Sequence, residues 1–201
     1  MKPKGYVTRH LPHVAREELE AACEVTIWDE EFPPPYEVIV QNITDKDGLV
    51  CLLTDRIDAA LMDAALKLKV IGQVAVGYDN IDISAATERG IAVGNTPGVL
   101  TEATADFAFA LLMAAARRIG EAYDYVRAGA WETWGLTLFL GQEVYGATLG
   151  IVGMGRIGQA VAKRARGFDM KVLYHNRSRV PEAEAELGVE YRDFESLLRE
   201  S

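Results

Sequence analysis

The sequence contains few of the residues that mark disulfide-stabilised or metal-binding proteins. Only two of its 201 residues are cysteine and three are histidine. Cys23 and Cys51 lie in separate apolar segments, without a second cysteine pair or a nearby histidine. This spacing matches neither a disulfide framework nor a metal site, so we expect no metal and a reducing compartment. Because no apolar segment resembling a secretory signal follows Lys4, the sequence favours the cytoplasm.

Basic surface and long apolar runs are also scarce. The chain has 21 lysine and arginine residues against 30 aspartate and glutamate residues, a formal net charge of -9. An acidic protein repels phosphate backbones, and no basic patch with interleaved aromatic residues is present. The longest apolar run, residues 107–116, is much shorter than the roughly 20 residues needed to cross a bilayer. We therefore expect neither nucleic acid nor a membrane as a partner.

Hydrophobic residues make up 49% of the chain and charged residues 25%, which is typical of a globular protein. Short apolar runs alternate with helical stretches, a pattern that predicts parallel sheets covered by helices. The runs that we interpret as strands in the first half are residues 5–8, 25–28, 48–53, 70–76 and 91–93. The turn-forming residues 95–98 contain proline and glycine. We place a domain boundary there, which gives domains of residues 1–98 and 99–201.

The segment after this turn is apolar on nearly every helical face. It predicts a helix over residues 101–118, with Thr101 as N-cap and Glu102 near the positive helix end. A helix of this composition is expected to be buried all round, in part by a second subunit. Residues 131–146 combine aromatics with glycines and follow neither helical nor strand periodicity, so they predict an irregular loop that carries aromatic surface.

A glycine motif follows the next strand-like run and opens an amphipathic helix. Gly153, Gly155 and Gly158 have the spacing of the dinucleotide-binding fingerprint. The first glycine allows a tight turn, the second lets the backbone approach a pyrophosphate, and the third lets the helix pack close to the strand. The first helical residues, Arg156 and Ile157, place unpaired N–H groups at the helix end, where phosphates bind. The motif predicts a nicotinamide dinucleotide cofactor.

The residues that follow the second strand of this domain indicate which dinucleotide binds. The ribose-binding carboxylate usual in NAD sites is replaced by Asn176, followed by Arg177, Ser178 and Arg179. An aspartate would repel a 2′-phosphate, whereas two guanidinium groups and a hydroxyl can hydrogen-bond it, with about 100-fold discrimination. NADP is therefore favoured. The alternative is that both arginines are solvated surface residues, in which case NAD remains acceptable.

Three segments together resemble a known family. VGYDNID (76–82), NTPGVLTEATAD (95–106) and GIVGMGRIGQAVAKRA (150–165) are similar to D-isomer-specific 2-hydroxyacid dehydrogenases, particularly glyoxylate and hydroxypyruvate reductases. The resemblance implies an α/β protein in which a flavodoxin-like substrate domain precedes the first part of a Rossmann dinucleotide-binding domain. It also implies a homodimer whose interface includes the helix after the boundary.

The same resemblance assigns substrate-binding residues. Backbone N–H groups at Val76 and Gly77 would hold the substrate carboxylate, with Leu53 and Thr54 lining the same pocket. A strand end that runs into glycine can present successive amides to an anion. Trp134 matches a tryptophan that reaches the neighbouring subunit's pocket. Without the resemblance, the glycine would be an ordinary turn residue and the tryptophan interface packing.

Three further points come from the resemblance. Thr104 and Asp106 match positions that approach the nicotinamide or brace the cleft. Asn80 and Asp82 are interpreted as turn and helix-start residues. Related phosphoglycerate dehydrogenases carry an arginine where this chain has residues 73–75, Gln-Val-Ala, so a small 2-oxo acid such as glyoxylate or hydroxypyruvate fits better than a phosphorylated substrate.

The family's catalytic groups are a histidine paired with a glutamate, together with an arginine, and the resemblance places all three after residue 201. We interpret His10, His13 and His175 as ordinary surface or turn residues and assign no catalytic residue. We therefore expect the chain to be a piece of a longer enzyme and to be inactive alone. The alternatives are a corepressor-like NAD(P)-binding module and a non-catalytic dimerising fragment.

Overall fold

The computed structural model describes residues 1–201 and contains two compact units, Met1–Gly98 and Val99–Ser201. Each unit is built on one parallel sheet, of five strands in the first and three in the second. The α/β fold class predicted from the alternating pattern is confirmed. None of the helices is both long enough and apolar enough to span a membrane.

The first unit alternates strands and helices along the whole of its length. Its elements are β1 (Lys4–Val7), α1 (His13–Ala22), β2 (Glu24–Ile27), α2 (Tyr36–Ile43), β3 (Gly48–Cys51), α3 (Ala59–Ala64), β4 (Val70–Gln73), α4 (Ile83–Glu88) and β5 (Ala92–Gly94). The strands are parallel and lie in the order β2-β1-β3-β4-β5. This is the flavodoxin-like order, in which ligands bind outside the carboxyl ends of the strands where the order reverses. In this unit the reversal lies between β1 and β3.

Local capping explains where two of the short helices begin. The Asp58 carboxylate accepts a hydrogen bond from the Leu61 amide at 3.0 Å and starts α3, and the Asp82 carboxylate accepts from the Ala85 amide at 2.9 Å and starts α4. Each aspartate satisfies an N–H group that has no partner within its helix. The prediction of Asp82 as a helix-start residue is confirmed.

The second unit begins with two helices and continues as alternating strands and helices. Its elements are α5 (Thr101–Ala116), α6 (Ile119–Arg127), β6 (Thr148–Val152), α7 (Arg156–Ala165), a 3₁₀ turn (Arg166–Phe168), β7 (Lys171–His175), α8 (Pro181–Leu187), β8 (Glu190–Tyr191) and α9 (Phe194–Glu200). The strands pair in parallel in the order β6-β7-β8. Residues 128–147 contain no helix or strand, as predicted for the aromatic loop.

The structure corrects one expectation about α5 and shows how much of the helix its own unit buries. Thr101 is the first helical residue and makes no capping hydrogen bond, because the N-cap position is occupied by Leu100. Within its own unit Ala105 and Phe109 are its only buried residues and Phe107 is 66% exposed, so burial of the other faces would require the expected second subunit. Composition indicated an apolar helix, but only one of its faces packs against the core of its own unit.

Candidate functional site

The carboxyl ends of β1, β3 and β4 meet at one edge of the first sheet. This edge includes the point where the strand order reverses, which is the usual ligand position in such sheets. A cleft of about 360 Å³ opens beside it and is lined by residues 53–58 and 79–82. Leu53 and Thr54 both line this cleft. Val76 and Gly77 do not line this cleft, although a side chain added at Gly77 would lie 3.8 Å from Leu53 Cδ2.

A buried carboxylate organises the loop that carries Leu53 and Thr54. Asp55 is 2% exposed, and its Oδ2 accepts hydrogen bonds from the Thr8 hydroxyl and from the Leu52 amide, the latter at 2.8 Å. Its Oδ1 is buried without a hydrogen-bond partner and lies 3.4 Å from Arg9 Nη1. The positive charge of Arg9 compensates for burial of this carboxylate. The loop after β3 is thus tied to the end of β1.

Arg9 also determines which hydrogen bonds the Thr54 hydroxyl can form with a ligand. The Arg9 guanidinium donates from Nη2 to Thr54 Oγ1 at 2.6 Å and from Nη1 to the Thr8 carbonyl at 2.6 Å. A hydroxyl that accepts from a guanidinium keeps its own proton for a further acceptor. Thr54 is therefore arranged to donate to a carboxylate or carbonyl oxygen in the cleft.

A second polar network connects the ends of β3 and β4. Gln73 donates to Asn80 Oδ1 at 2.8 Å and to the Gly77 carbonyl at 3.1 Å, and it accepts from Cys51 Sγ at 3.1 Å. Asn80 donates to the carbonyls of Leu52 at 3.0 Å and Asp55 at 2.8 Å. Burial, and secondarily the nearby carboxylate of Asp55, raises the pKa of the Cys51 thiol to about 12, so this cysteine acts as a neutral hydrogen-bond donor.

The loop after β4 has amides without an acceptor at the positions predicted to hold a carboxylate. The N–H groups of Val76 and Gly77 donate no hydrogen bond within the protein. The two carbonyls, by contrast, are held: that of Val76 accepts from Asn95 Nδ2 at 2.8 Å and that of Gly77 accepts from Gln73. Anchored carbonyls combined with free amides favour an anion ligand at this loop.

The glycine motif of the second unit has the geometry of a dinucleotide loop. Gly153 has φ +99°, and its amide donates to the His175 carbonyl at 2.8 Å, which ties the turn to the end of β7. A Cβ at Gly158 would come closer than 3.0 Å to the Gly153 carbonyl oxygen, so the helix and the turn are in direct backbone contact. At Gly155 nothing lies within 4 Å of a Cβ position, so the backbone there is open to a ligand.

The amino end of α7 fits a phosphate. The first hydrogen bond of the helix runs from the Gln159 amide to the Gly155 carbonyl at 2.9 Å. The amides of Arg156, Ile157 and Gly158 precede that bond and have no acceptor within the helix. Together with the helix dipole these amides can bind an anion beside the open backbone of Gly155.

The four residues after β7 differ in whether their side chains are free to bond a ligand. Arg177 and Ser178 are exposed, and Arg177 forms no ion pair. Asn176 donates from its side chain to the Ser178 carbonyl at 3.1 Å. Arg179 is already paired, because its Nε donates to Glu184 Oε1 at 3.0 Å and its Nη2 to Glu184 Oε2. Sequence reasoning treated the two arginines as equivalent and did not anticipate this partner, which lies five residues further along the chain.

The predicted residues on α5 have different surroundings. Asp106 is held by Arg164 of α7, whose guanidinium also bonds the carbonyl and carboxylate of Glu102. Asp106 therefore joins the two helices, and this pairing raises the pKa of Arg164. Thr104 is half-buried, with no hydrogen bond from its hydroxyl.

Trp134 belongs to an exposed apolar surface in the second unit. It is 74% exposed, and Leu136 and Leu140 of the same loop are 77% and 63% exposed. Phe107 and Leu111 of α5, together with Tyr123 of α6, add further exposed apolar area. An apolar area of this kind is more typical of a protein interface than of free surface.

Sequence reasoning missed Arg9, Asp55 and Gln73 as site residues and recognised Asn80 only as a turn residue. All of them bond at the carboxyl ends of strands, to partners as far as 47 residues away in the chain. One signal was available, since Asp55 lies two residues after the end of the apolar run 48–53. A charged residue at the end of a parallel strand is well placed for a ligand site.

Comparison with known proteins identifies the family. The family model described as "D-isomer specific 2-hydroxyacid dehydrogenase, catalytic domain" matches residues 6–186. The chain is 57% identical to a glyoxylate reductase of Korarchaeum cryptofilum and 55% identical to one of Thermococcus litoralis, in both cases over 100% of its own length. It covers 61% and 62% of those proteins.

Solved structures agree with this similarity. The crystal structure of the TT0316 protein from Thermus thermophilus superposes with a TM-score of 0.90 and 47% identity, over 98% of this chain and 62% of that one. The resemblance inferred from the three motifs is confirmed. The chain belongs to the D-isomer specific 2-hydroxyacid dehydrogenase family and is similar to its glyoxylate reductases.

Proposed function

We propose that the chain provides the substrate-binding and cofactor-binding residues of an NADP-dependent reductase that converts a small 2-oxo acid, glyoxylate or hydroxypyruvate, to the 2-hydroxy acid. In this proposal residues 1–98 are the substrate domain and residues 99–201 are the dinucleotide-binding domain. The observation that carries it is the set of fingerprint glycines followed, after β7, by Asn176 where NAD sites have a carboxylate and by the unpaired Arg177.

The first unit supports a small anionic substrate. Free amides at Val76 and Gly77 can hold a carboxylate without a charged side chain. The Thr54 hydroxyl, oriented by Arg9, can donate to the same ligand, and Leu53 provides an apolar wall. No arginine or lysine side chain lines the cleft except Arg56, which pairs with Asp58 at 2.6 Å. The cleft also carries Asp55, Asp58, Asp79 and Asp82, so it argues against a phosphorylated substrate, and a 2-oxo acid carboxylate would depend on the loop amides.

The second unit has residues suited to bind the phosphates and the ribose of the cofactor. Gly153, Gly155 and Gly158 shape the turn, and the amides of Arg156 and Ile157 would meet the pyrophosphate. In this proposal the adenosine ribose binds beside residues 176–179, where Arg177 has no ion pair and could bond a 2′-phosphate. We propose Thr104 as a residue beside the nicotinamide. When bound, the cofactor supplies the hydride.

Reduction of a carbonyl also requires a proton donor and a group that polarises the carbonyl oxygen. None of the three histidines is arranged for this. His175 Nδ1 lies 3.0 Å from the Arg192 carbonyl within an aromatic cluster, while His10 and His13 are exposed beside Asp29 and Glu17. The relatives are longer than this chain. We therefore propose that the 201 residues alone bind ligands but do not catalyse the reaction.

The test is NADPH oxidation with glyoxylate, measured on the 201-residue chain and on a protein that extends to the length of its relatives. Activity only in the longer protein supports the proposal, and activity of the short chain would overturn the inference about missing catalytic groups. Binding of NADPH without activity in either protein would favour a cofactor-binding module instead. Hydroxypyruvate measured in parallel ranks the two substrates.

We also propose that the longer protein is a homodimer, with the exposed apolar surface around Trp134 at the interface. The support is the apolar exposure of α5, α6 and the loop after them. Analytical ultracentrifugation of the longer protein tests this. A dimer that dissociates in the variant Phe107→Glu is the expected result, and a monomer at every concentration would contradict it.

A further inference from the structure

Glu184 of α8 holds one of the two arginines proposed to bind a 2′-phosphate. It engages Arg179 with both carboxylate oxygens, which bond Nε and Nη2 of the guanidinium. A bidentate pair of this kind is strong and has a defined geometry. It uses one full bonding face of Arg179 and leaves only the remaining N–H groups for a ligand.

Tyr174 of β7 holds Glu184 in this position. The tyrosine hydroxyl donates to Glu184 Oε1 at 2.7 Å and accepts from the Val180 amide at 2.7 Å. Tyr174 is fully buried, so the network is anchored in the core of the second unit. The ion pair is therefore part of a fixed arrangement that also orients the loop after β7.

The two arginines consequently differ in how much uncompensated positive charge they present to a ligand. Arg177 is exposed and without an ion pair, whereas the charge of Arg179 is compensated at contact distance. The guanidinium of Arg179 also lies over the Tyr191 ring, with its Cζ 5.8 Å from the ring centroid. Near the ribose position the loop thus presents about one uncompensated positive charge instead of two.

We infer that Glu184 weakens selection for a 2′-phosphate by neutralising Arg179, so that Arg177 is the principal residue distinguishing NADP from NAD. This inference rests on the proposed function of residues 176–179. It predicts a moderate preference for NADP, with NAD still accepted, and it makes Glu184 a specificity-determining residue that does not itself touch the cofactor.

The test measures dissociation constants of 2′,5′-ADP and 5′-AMP for the 201-residue chain by isothermal titration calorimetry. The two ligands differ only in the 2′-phosphate, so their ratio isolates its contribution without any catalytic assay. Arg177→Gln is expected to weaken 2′,5′-ADP about 10-fold or more, the size of a lost charge-assisted hydrogen bond. Arg179→Gln is expected to weaken it less than about 3-fold, since its charge is already compensated.

The variant Glu184→Gln removes the charge and retains the shape. We expect 2′,5′-ADP to bind about 3-fold to 10-fold more tightly and 5′-AMP to be unchanged. In this background Arg179→Gln should abolish the gain. Glu186→Gln is the matched control, because Glu186 lies on the same helix, is exposed and forms no ion pair. Circular dichroism spectra and thermal unfolding establish that each variant is folded.

The outcomes separate the inference from the proposed function. If 2′,5′-ADP is preferred and Arg177→Gln removes the preference, but Glu184→Gln leaves it unchanged or lowers it, the inference about Glu184 is wrong and NADP selection stands. If the unsubstituted chain shows no preference and Glu184→Gln creates one, the weakening effect of Glu184 stands, but the role given to Arg177 and the proposed NADP dependence are wrong. If neither the unsubstituted chain nor Glu184→Gln prefers 2′,5′-ADP to 5′-AMP, both the inference and the proposed NADP dependence are wrong.

Discussion

Gly158 makes a close contact that a single methyl group would destroy. In Gly158→Ala the new Cβ would lie closer than 3.0 Å to the Gly153 carbonyl oxygen, a backbone atom that cannot rotate away. Overpacking of this kind lowers the unfolding free energy by about 3 kcal/mol, and the better helix propensity of alanine raises it by about 1 kcal/mol. We expect a net loss of about 2 kcal/mol in the unfolding free energy of the second unit.

For a unit of this size, that loss corresponds to a fall in Tm of about 8 to 16 °C. Thermal unfolding followed by circular dichroism measures it, and hydrogen exchange of the peptides from β6 and β7 localises it to the second unit. NADPH binding should be lost as well, because α7 can no longer approach the turn at Gly153.

Gly155→Ala provides the matched control. Gly155 has φ -78° and ψ -168°, which alanine adopts easily, and nothing lies within 4 Å of its Cβ position. We expect this variant to lose less than about 1 kcal/mol of stability but to bind NADPH at least about 10-fold more weakly, since the methyl group occupies the approach of the pyrophosphate. Equal stability of Gly158→Ala and the unsubstituted chain would refute the reasoning.

Three further predictions concern the first unit and the interface. Asp55→Ala removes the charge that compensates Arg9 and the acceptor of the Leu52 amide, and should lower the unfolding free energy by about 3 to 5 kcal/mol in urea titrations. Asp55→Asn keeps the shape but also removes the charge, so it should cost nearly as much; a much smaller loss for Asp55→Asn would argue against the buried charge pair. At pH 8 a thiol reagent should modify half-buried Cys23 quickly and buried Cys51 only on unfolding. The pKa of about 12 of the Cys51 thiol leaves about one molecule in 10,000 with this thiol ionised. Rapid reaction of both cysteines would contradict this. Trp134→Ala should change the unfolding free energy of the 201-residue chain by less than about 0.5 kcal/mol, because the side chain is exposed. A larger loss would show that Trp134 packs within its own unit.

Much of the local structure follows from the sequence alone, because strand runs, capping residues and glycine turns depend on neighbouring residues. The turn at Gly153 needs a positive φ, and the contact at Gly158 is formed with a residue only five positions earlier, so both could be recognised from spacing. Asp82 starts α4 for the same local reason. The family also follows from such short segments.

Other features depended on tertiary structure. The bonds from Arg9 to Thr54 and from Thr8 to Asp55 exist because the strand order places the ends of β1 and β3 side by side. Apolar composition on α5 could not reveal which face is left uncovered, since that depends on what packs against it. The difference between Arg177 and Arg179 was decided by Tyr174, whose buried hydroxyl positions Glu184 beside one arginine and away from the other.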